Sequence, residues 1–222
     1  MKVVTDQGIS IDRLPSLAQV FAAIEPEPWA ERAESTSCQR PEWSWNTAIA
    51  AMAVLLRQET QAEAETERCV SKVCDAQGVI FCGPTPVFSD LAVLAHFKTW
   101  VFTPENRTYA GFQLPPAVFP TVTTPGAQPN IPIPKGDGLA NEQFCLIQTR
   151  RFAWVASLGP NEHGLLQFRF SFEPATVEKI WQFLQLRIDQ GHLSVQGAQI
   201  RKWRSLYPVL EPNYKLPMQF GQ

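Results

Sequence analysis

The sequence predicts an α/β (α+β) fold, in which helices pack on a mixed sheet that ends in an antiparallel meander at about residues 144–172. Residues 144–149, 152–158 and 166–172 are three short runs of strand-forming residues separated by turn-forming ones. Connections this short favour antiparallel neighbours. An amphipathic helix follows the third run, and a strand–helix–strand pattern precedes the first. These observations predict both an antiparallel and a parallel part of the sheet.

The third run and the helix after it show their hydrophobic periodicities clearly. Leu166, Phe168 and Phe170 alternate with Gln167 and Arg169. A period of two indicates a half-buried strand. The next segment starts with a proline, which the first turn of a helix tolerates, and then repeats apolar residues along one helical face. This stripe consists of Val177, Ile180, Trp181, Leu184 and Ile188.

A βαβ unit is predicted upstream of the meander. Residues 79–82 and 99–102 are compact apolar runs, each closed by a proline-containing turn. The segment between them is long enough for a short crossover helix, which would make the two strands parallel. The residues that indicate this helix are Phe88, Leu91, Leu94, Ala95 and Lys98.

Two further helices are predicted near the N-terminus, over residues 11–24 and from about residue 45 to 74. Between them, residues 41–45 read as a surface loop that Trp43 and Trp45 pin to the body of the protein. Residues 57–68 are polar nearly all round, which favours a solvated helix over a strut that meets a second copy of the chain.

The predicted organisation has three parts: a helical region at 1–76, an α/β core at 77–190, and a C-terminal helix with an extended connector at 191–222. The core carries a proline-rich insertion at 113–138. We interpret the insertion as a variable surface segment. A flap over a pocket and a polyproline segment that docks on a partner remain alternatives.

Charge and hydropathy exclude several classes of function. The formal net charge is −2, so no basic excess is available for a dedicated nucleic-acid surface or a polybasic membrane patch. The longest apolar run, residues 48–56, is far shorter than the roughly 20 residues that cross a bilayer. The N-terminus turns polar at once, unlike a signal peptide. We therefore expect a cytoplasmic protein.

The cysteines do not predict a metal site. There are 5 of them, without a C-x-x-C spacing, which is typical of reduced and partly buried thiols. Cys69 and Cys74 would face different sides of a helix. The full set is Cys38, Cys69, Cys74, Cys82 and Cys145.

No catalytic residue is predicted. The sequence has no phosphate-binding loop, no nucleophile elbow and no zinc-protease motif. His163 and His192 lie in glycine-containing loops, and His96 reads as a core-edge residue on a short helix. The scattered carboxylates suggest helix caps and turns; they are Asp75, Asp90, Asp137, Glu142 and Glu173. We expect a chain that is not an enzyme and carries no cofactor. An enzyme without a recognisable motif is the less favoured alternative.

Aromatic side chains frame the predicted sheet and are the candidate ligand or partner surface. Such a set either lines an apolar cavity for a small molecule or fills a solid core, and a filled core is the more frequent outcome. The set consists of Phe81, Trp100, Phe102, Phe144, Trp154, Phe168 and Phe170.

Over residues 77–188 the chain resembles the DICT sensory domain. The strand at 99–102 is followed, after the insertion, by Leu139-Ala140-Asn141-Glu142, which is similar to the family's Leu-Ala-x-Glu entry into the next strand. Three other segments carry the resemblance: 151–156, 170–177, and the tail 212–216 with Phe220, which looks like the connector before signalling domains.

The resemblance implies an α/β sensory module in front of a histidine kinase or diguanylate cyclase domain of a bacterial signal-transduction protein, such as a two-component system. The module would itself be non-enzymatic and would transmit the state of a ligand or partner to this output domain. The ligand is left open, and a homodimer is a further possibility. The alternative is a stand-alone scaffold that binds another protein through the proline-rich insertion or the Trp43–Trp45 segment.

Overall fold

The computed structural model describes residues 14–24, 40–67, 76–104, 130–134, 136–190 and 194–208. These residues form one open sheet of six strands, in the order β3-β2-β1-β4-β5-β6. The strands are β1 (Gly78–Gly83), β2 (Phe97–Pro104), β3 (Asn130–Ile133), β4 (Gln143–Thr149), β5 (Ala153–Pro160) and β6 (Leu166–Ser171). β1, β2 and β3 pair in parallel, whereas β4, β5 and β6 continue the sheet antiparallel. The predicted mixed sheet, its βαβ unit and its meander are confirmed.

Helices cover both faces of the sheet. They are α1 (Leu17–Ile24), α2 (Pro41–Glu67), α3 (Leu91–Leu94), α4 (Pro174–Gln190) and α5 (Ser194–Ser205), and a 3-10 turn spans Gly138–Asn141. One face packs against α1, α4 and α5, and the other packs against α2 and α3. The described part of the chain is therefore an α/β/α sandwich with an apolar core on each side of the sheet.

Alternation along the central strands builds the two cores. In β1, Val79 and Phe81 point to the α4 side, while Ile80 and Cys82 point to the α2 side. All six residues of β1 are buried, which the continuous apolar run predicted. The helical stripe of α4 is confirmed as well, because Val177, Ile180, Trp181, Leu184 and Ile188 are all at most 2% exposed.

Helix α2 begins earlier than predicted. Residues 41–45 form its first turn and not a surface loop, with Pro41 at the first helical position, which tolerates a missing N–H. The carbonyl of Arg40 accepts from the N–H groups of Trp43 and Ser44. As a result Trp45 is buried in the core, while Trp43 on the opposite side is 66% exposed.

A strand lies inside the predicted proline-rich insertion. β3 (Asn130–Ile133) pairs with β2 and forms the edge of the sheet. Edge strands tolerate proline because one side of their backbone has no partner strand. Pro132 is therefore compatible with the strand, and Ile131 and Ile133 are buried. Residues 113–129 of the insertion lie outside the described residues.

The crossover helix is shorter than predicted. α3 covers Leu91–Leu94, its N-cap is Asp90, and β2 already begins at Phe97. Lys98 therefore lies on the strand, where its ammonium group sits over the ring of Trp203. His96 lies in the turn between these elements and is exposed, so it is not the core-edge residue of a helix that we expected.

Candidate functional site

The aromatic residues of the candidate surface divide between the two faces of the sheet. Phe81, Trp100, Phe102 and Phe144 lie in the core under α4. On the other side, Trp154 is buried in the second core and Phe168 packs against it. The structure does not bring these six side chains together on one surface.

Within each core the aromatic rings contact one another. Phe81 stacks on Trp100 at a centroid distance of 5.2 Å and approaches Trp181 at 5.0 Å. Phe102 meets Phe144 edge-on at 5.5 Å. Five members of the candidate set, all except Phe168 and Phe170, are at most 2% exposed. Such packing is that of a filled core, and the ligand role of the set stays a prediction.

Phe170 is the member of the set with substantial exposure. It is 43% exposed on β6 and stacks on Phe168 at 5.7 Å. Leu166, four residues before Phe170 on the same face, is 41% exposed, whereas Ser171 on the opposite face is buried. The side chains of β6 alternate between the two faces of the sheet as predicted, but their burial does not follow this alternation, because Leu166 and Phe170 on the apolar face are more exposed than Ser171 on the other face.

A buried polar cluster joins α1 to the core. We define the helix anchor as Asp137, Glu142 and Arg187, which lie on two separate segments of the chain and are at most 9% exposed. The two acids flank the 3-10 turn before β4, and Arg187 projects from the last turn of α4. Charged groups this deeply buried require partners.

Glu142 caps the first helix. Its Oε2 accepts from the N–H of Leu17 at 2.6 Å, and its Oε1 accepts from the N–H of Ala18 at 3.1 Å. The next N–H, on Gln19, donates to the hydroxyl of Ser16, and the side-chain oxygen of Gln19 accepts from the N–H of Ser16. This reciprocal pair is a capping box. The first-turn donors of α1 are thus satisfied, two of them by a carboxylate from a distant segment.

The environment of Glu142 opposes its ionisation. Burial raises the pKa of Glu142 above its ordinary value of 4.5. Bonds from Ala18, Leu17 and Ser16 and the charge of Arg187 act in the opposite direction. Removal from water is the largest of these effects, because a carboxylate loses hydration that two amide donors only partly replace.

Arg187 completes the anchor. Its Nε donates to Oδ2 of Asp137 at 2.7 Å and its Nη2 donates to Oδ1 at 2.6 Å, a bidentate geometry. Nη2 also donates to the carbonyl of Pro15 at 2.9 Å. The guanidinium group lies 4.0 Å from the ring centroid of Phe183. Arg187 therefore ties α4 both to the turn before β4 and to the residues that lead into α1.

The carboxylates that we interpreted as caps can be followed individually. Asp90 caps α3, Asp137 caps the 3-10 turn, and Glu142 caps α1. The first two caps are local, whereas Glu142 acts on a helix 125 residues earlier in the chain. The side chain of Glu173 caps no helix among the described contacts. Asp75 lies outside the described residues.

Sequence reasoning did not single out Arg187. A signal for it exists, because Arg187 lies three residues after Leu184 and therefore falls within the apolar stripe of α4. A basic residue in a buried stripe implies a buried acidic partner. Only the tertiary structure shows that this acidic partner is Asp137.

Two cysteines lie opposite each other on neighbouring strands. Cys82 of β1 and Cys145 of β4 are register partners, and both are free, buried thiols. Burial raises the pKa of Cys82 to about 12 and also raises that of Cys145. Burial therefore favours the protonated form of both thiols, which reacts poorly, and both lie in the core as free cysteines. Cys38, Cys69 and Cys74 lie outside the described residues.

The histidines and the described acids do not gather into a metal site. His163 is exposed in the loop before β6, with Glu162 at 3.5 Å, and His96 is exposed before β2. In the described part of the chain no group of three or more histidine, cysteine or acidic side chains is arranged to hold a metal ion. His192 lies outside that part.

Two depressions on the surface of the described residues are lined by charged side chains. One, of about 540 Å³, lies between the start of α4 and the end of α5, where Arg204 pairs with Glu178. The other, of about 210 Å³, lies between α2 and the segment that leads into α3, and the Arg57–Asp90 ion pair stands at its side. The charged groups at both places already pair with each other.

No helix of the described residues has both the length and the apolar character that crossing a membrane requires. No family model matches the chain, and no solved structure matches it. The identification as a DICT domain therefore stays a prediction.

The chain is similar to a region of a signal-transduction protein of the sensor histidine kinase class. The relative is the sensor histidine kinase Hik34 of Synechocystis sp., to which the chain is 30% identical over 194 residues. The alignment covers 86% of this chain and 39% of that protein, so the chain spans well under half the length of its relative.

Proposed function

We propose that this chain is a non-enzymatic sensory module of a bacterial signal-transduction protein, and that it acts in the cytoplasm. The observation that carries the proposal is the similarity to a sensor histidine kinase over 86% of the chain. The resemblance of residues 77–188 to the DICT domain supports the same role. In this proposal the module transmits the state of a ligand or partner to a histidine kinase or diguanylate cyclase domain.

The buried charges of the module favour a regulatory over a catalytic role. Glu142 is engaged by backbone N–H groups, and Asp137 is engaged by Arg187. Buried charged groups whose hydrogen bonds are already satisfied within the core hold chain segments in place. They are poorly available for attack on a substrate. A module that biases an output domain needs instead two states that differ in their contacts with it.

The test begins with the intact mass of the endogenous gene product. We expect a mass well above the 24.9 kDa of this chain, together with autophosphorylation or cyclic-dinucleotide synthesis by the purified product. A product of 24.9 kDa that changes the activity of no kinase or cyclase in the same cell would overturn the proposal and favour a stand-alone scaffold.

Two substitutions on α4 then test whether the module controls the activity of the kinase or cyclase domain. Ile180→Asp introduces a charge into the core, whereas Leu186→Asp changes a side chain that is 52% exposed on the same helix. We expect the first variant to change the output rate by about 5–150-fold, the usual range of coupling between sites, and the second to leave it unchanged. Limited proteolysis would verify that only the first disrupts the module. An unchanged output rate in that disrupted variant would contradict the proposal.

A further inference from the structure

Helix α2 is uncharged on a side that faces solvent. Its residues 43–56, nearly four turns, include three small polar side chains and no charged one. One side of this stretch is buried in the core through Trp45 and Met52. The opposite side is exposed, although it carries Trp43 at 66% exposure and Val54 at 49%. Solvent-facing sides of helices normally carry charged and polar residues, and a helix that is hydrophobic all round is normally covered on every side.

A groove runs along one flank of this exposed side. It has a volume of about 210 Å³ and lies between α2 and the segment that leads into α3. Ile49, Ala50 and Ala53 line it from α2, and Val87 and Val93 line it from the other side. Pockets for small-molecule ligands usually measure about 300–1,000 Å³. The groove is therefore smaller than a usual ligand pocket, and it suits one large apolar side chain.

The exposed side of α2 is complementary to itself. Trp43 and Arg57 lie seven residues before and seven residues after Ala50, on the same side of the helix. Seven residues correspond to about 10 Å along the helix axis. If two copies of α2 cross antiparallel at Ala50, Trp43 of each copy therefore reaches the end of the groove at Arg57 of the other copy. A twofold interface requires such a match between two parts of one surface.

The charges at the two ends of this side favour an antiparallel crossing over a parallel one. Glu42 is exposed at one end, and the side chain of Arg57 is 54% exposed at the other. An antiparallel crossing brings these opposite charges near each other, whereas a parallel one would bring like charges together, which is unfavourable. The residue at the centre is Ala50, whose small side chain lets two helices approach closely.

We propose that the exposed side of α2 is the interface of a homodimer, in which two copies of the helix cross antiparallel at Ala50 and the partner's Trp43 fills the groove beside Arg57. Tryptophan and arginine are enriched among the residues that dominate the energy of interfaces. The surface from Trp43 to Arg57 is about 21 Å long. A surface of this length and one helix in width is small for a specific interface, so the dimer is weak and reversible.

Sedimentation velocity of the 222-residue chain at about 1 to 500 μM tests this association. We expect the mass to rise with concentration from 24.9 kDa toward twice that value. Trp43→Ala removes the side chain that fills the groove, and Ala50→Arg places two like charges face to face. Each should weaken the dimer by at least about tenfold. Leu186→Arg is the control and should change nothing, because Leu186 is exposed on α4, which packs on the other face of the sheet.

Mixtures of oppositely charged variants test whether the occupant is a second copy, and in which direction it lies. A 1:1 mixture of Ala50→Arg and Ala50→Glu chains should associate at least about tenfold more tightly than either variant alone, because position 50 faces itself across the twofold axis. A mixture of Trp43→Arg and Trp43→Glu chains should associate with a strength between those of its two components. In the antiparallel dimer, position 43 faces Arg57 of the partner and not position 43.

Four results would overturn the inference. The first is a mass of 24.9 kDa at every concentration. The second is a dimer that Ala50→Arg leaves unchanged, which would place the interface elsewhere. The third is a mixture of the Ala50 variants that associates no better than its components, as expected if a segment of the same chain or another molecule covers this side. The fourth is a mixture of the Trp43 variants that associates more tightly than both components, which would indicate parallel helices.

The substitutions are chosen so that the variants stay folded. Trp43 and Ala50 are exposed, and arginine and glutamate are good helix formers. Circular dichroism of each variant verifies that its helix content equals that of the unsubstituted chain. None of these measurements involves an output domain, so this inference and the proposed function can fail independently.

Discussion

Glu142 shows how one residue links distant parts of the chain. Its position in Leu139-Ala140-Asn141-Glu142 identified it as part of a motif, and its chemistry suggested a cap. Neither observation indicates which helix is capped, because the capped residues, Leu17 and Ala18, lie more than 120 positions earlier. A short-range cap such as Asp90 is predictable from sequence, since donor and acceptor are neighbours in the chain.

The pH dependence of stability follows from the environment of Glu142. Its pKa in the folded chain is raised above 4.5, mainly by burial. The folded state therefore holds the proton more tightly than the unfolded state does. The stability that this group contributes is fully present below 4.5 and is lost as the pH rises through the folded pKa.

We expect the free energy of unfolding of the unsubstituted chain to fall relative to that of Glu142→Gln as the pH is raised from about 4.5 toward neutrality. Glutamine has no proton to lose, so its contribution does not vary across this range. Urea unfolding of both proteins at a series of pH values measures the difference. If the unfolding free energies of the two proteins changed in parallel with pH, or if the unsubstituted chain gained stability relative to the variant, burial would not dominate the ionisation of Glu142.

Among the elements, β5 requires glycine at position 159, where the strand passes the side chain of Glu142. A Cβ on Gly159 would lie 2.5 Å from Cγ of Glu142. The strand can therefore pass beside the capping carboxylate only where it has no side chain. From sequence, Gly159 reads as part of a turn, because Gly159-Pro160-Asn161 has a turn-forming composition.

Gly159→Ala should destabilise the protein by about 1–3 kcal/mol, the usual range for overpacking a core. Because the clash displaces Glu142, exchange of the α1 amides should also become faster. Gly164→Ala provides a control. Gly164 has a φ of 75°, so alanine is strained there, but no atom lies within 4 Å of the added Cβ. Both variants lose stability in denaturant, and only Gly159→Ala should loosen α1. Equal effects on α1 would contradict this account.

The elements differ in how well the sequence predicts them. The meander and α4 were predictable because each has a clear period and short connections. The start of α2 and the strand β3 were not predictable in the same way, because residues 41–45 follow a polar stretch that favours a surface loop and β3 lies within a proline-rich insertion. Pro41 lies at a helix start and Pro132 on a sheet edge, which are two places where the missing N–H does not matter.

At the scale of the whole molecule, the Arg187–Asp137 pair joins α4, the turn before β4 and the residues before α1. Both groups are buried, so neither can rely on water if the other is removed. Loss of one partner from a buried ion pair is much more harmful than replacement of both.

We expect Arg187→Met to lower the free energy of unfolding by about 3–5 kcal/mol. Adding Asp137→Asn should recover part of this loss, because asparagine removes the buried charge and can still accept the bond from the N–H of Leu139. A double-mutant cycle by chemical denaturation measures the coupling of the pair. If the loss of unfolding free energy in the double variant equalled the sum of the losses in the two single variants, Arg187 and Asp137 would have no coupling energy.

The sequence by itself determined the local periods of this protein and therefore its class: a mixed α/β sheet, a meander, and a helix with one apolar face. These features depend on residues that are near each other in the chain. Only the tertiary structure decided that the aromatic residues divide between two cores, that β3 closes one edge of the sheet, and that Glu142 and Arg187 hold α1. The physical reason is that a buried charge must find a partner, and sequence alone does not indicate which distant group will be near enough to serve.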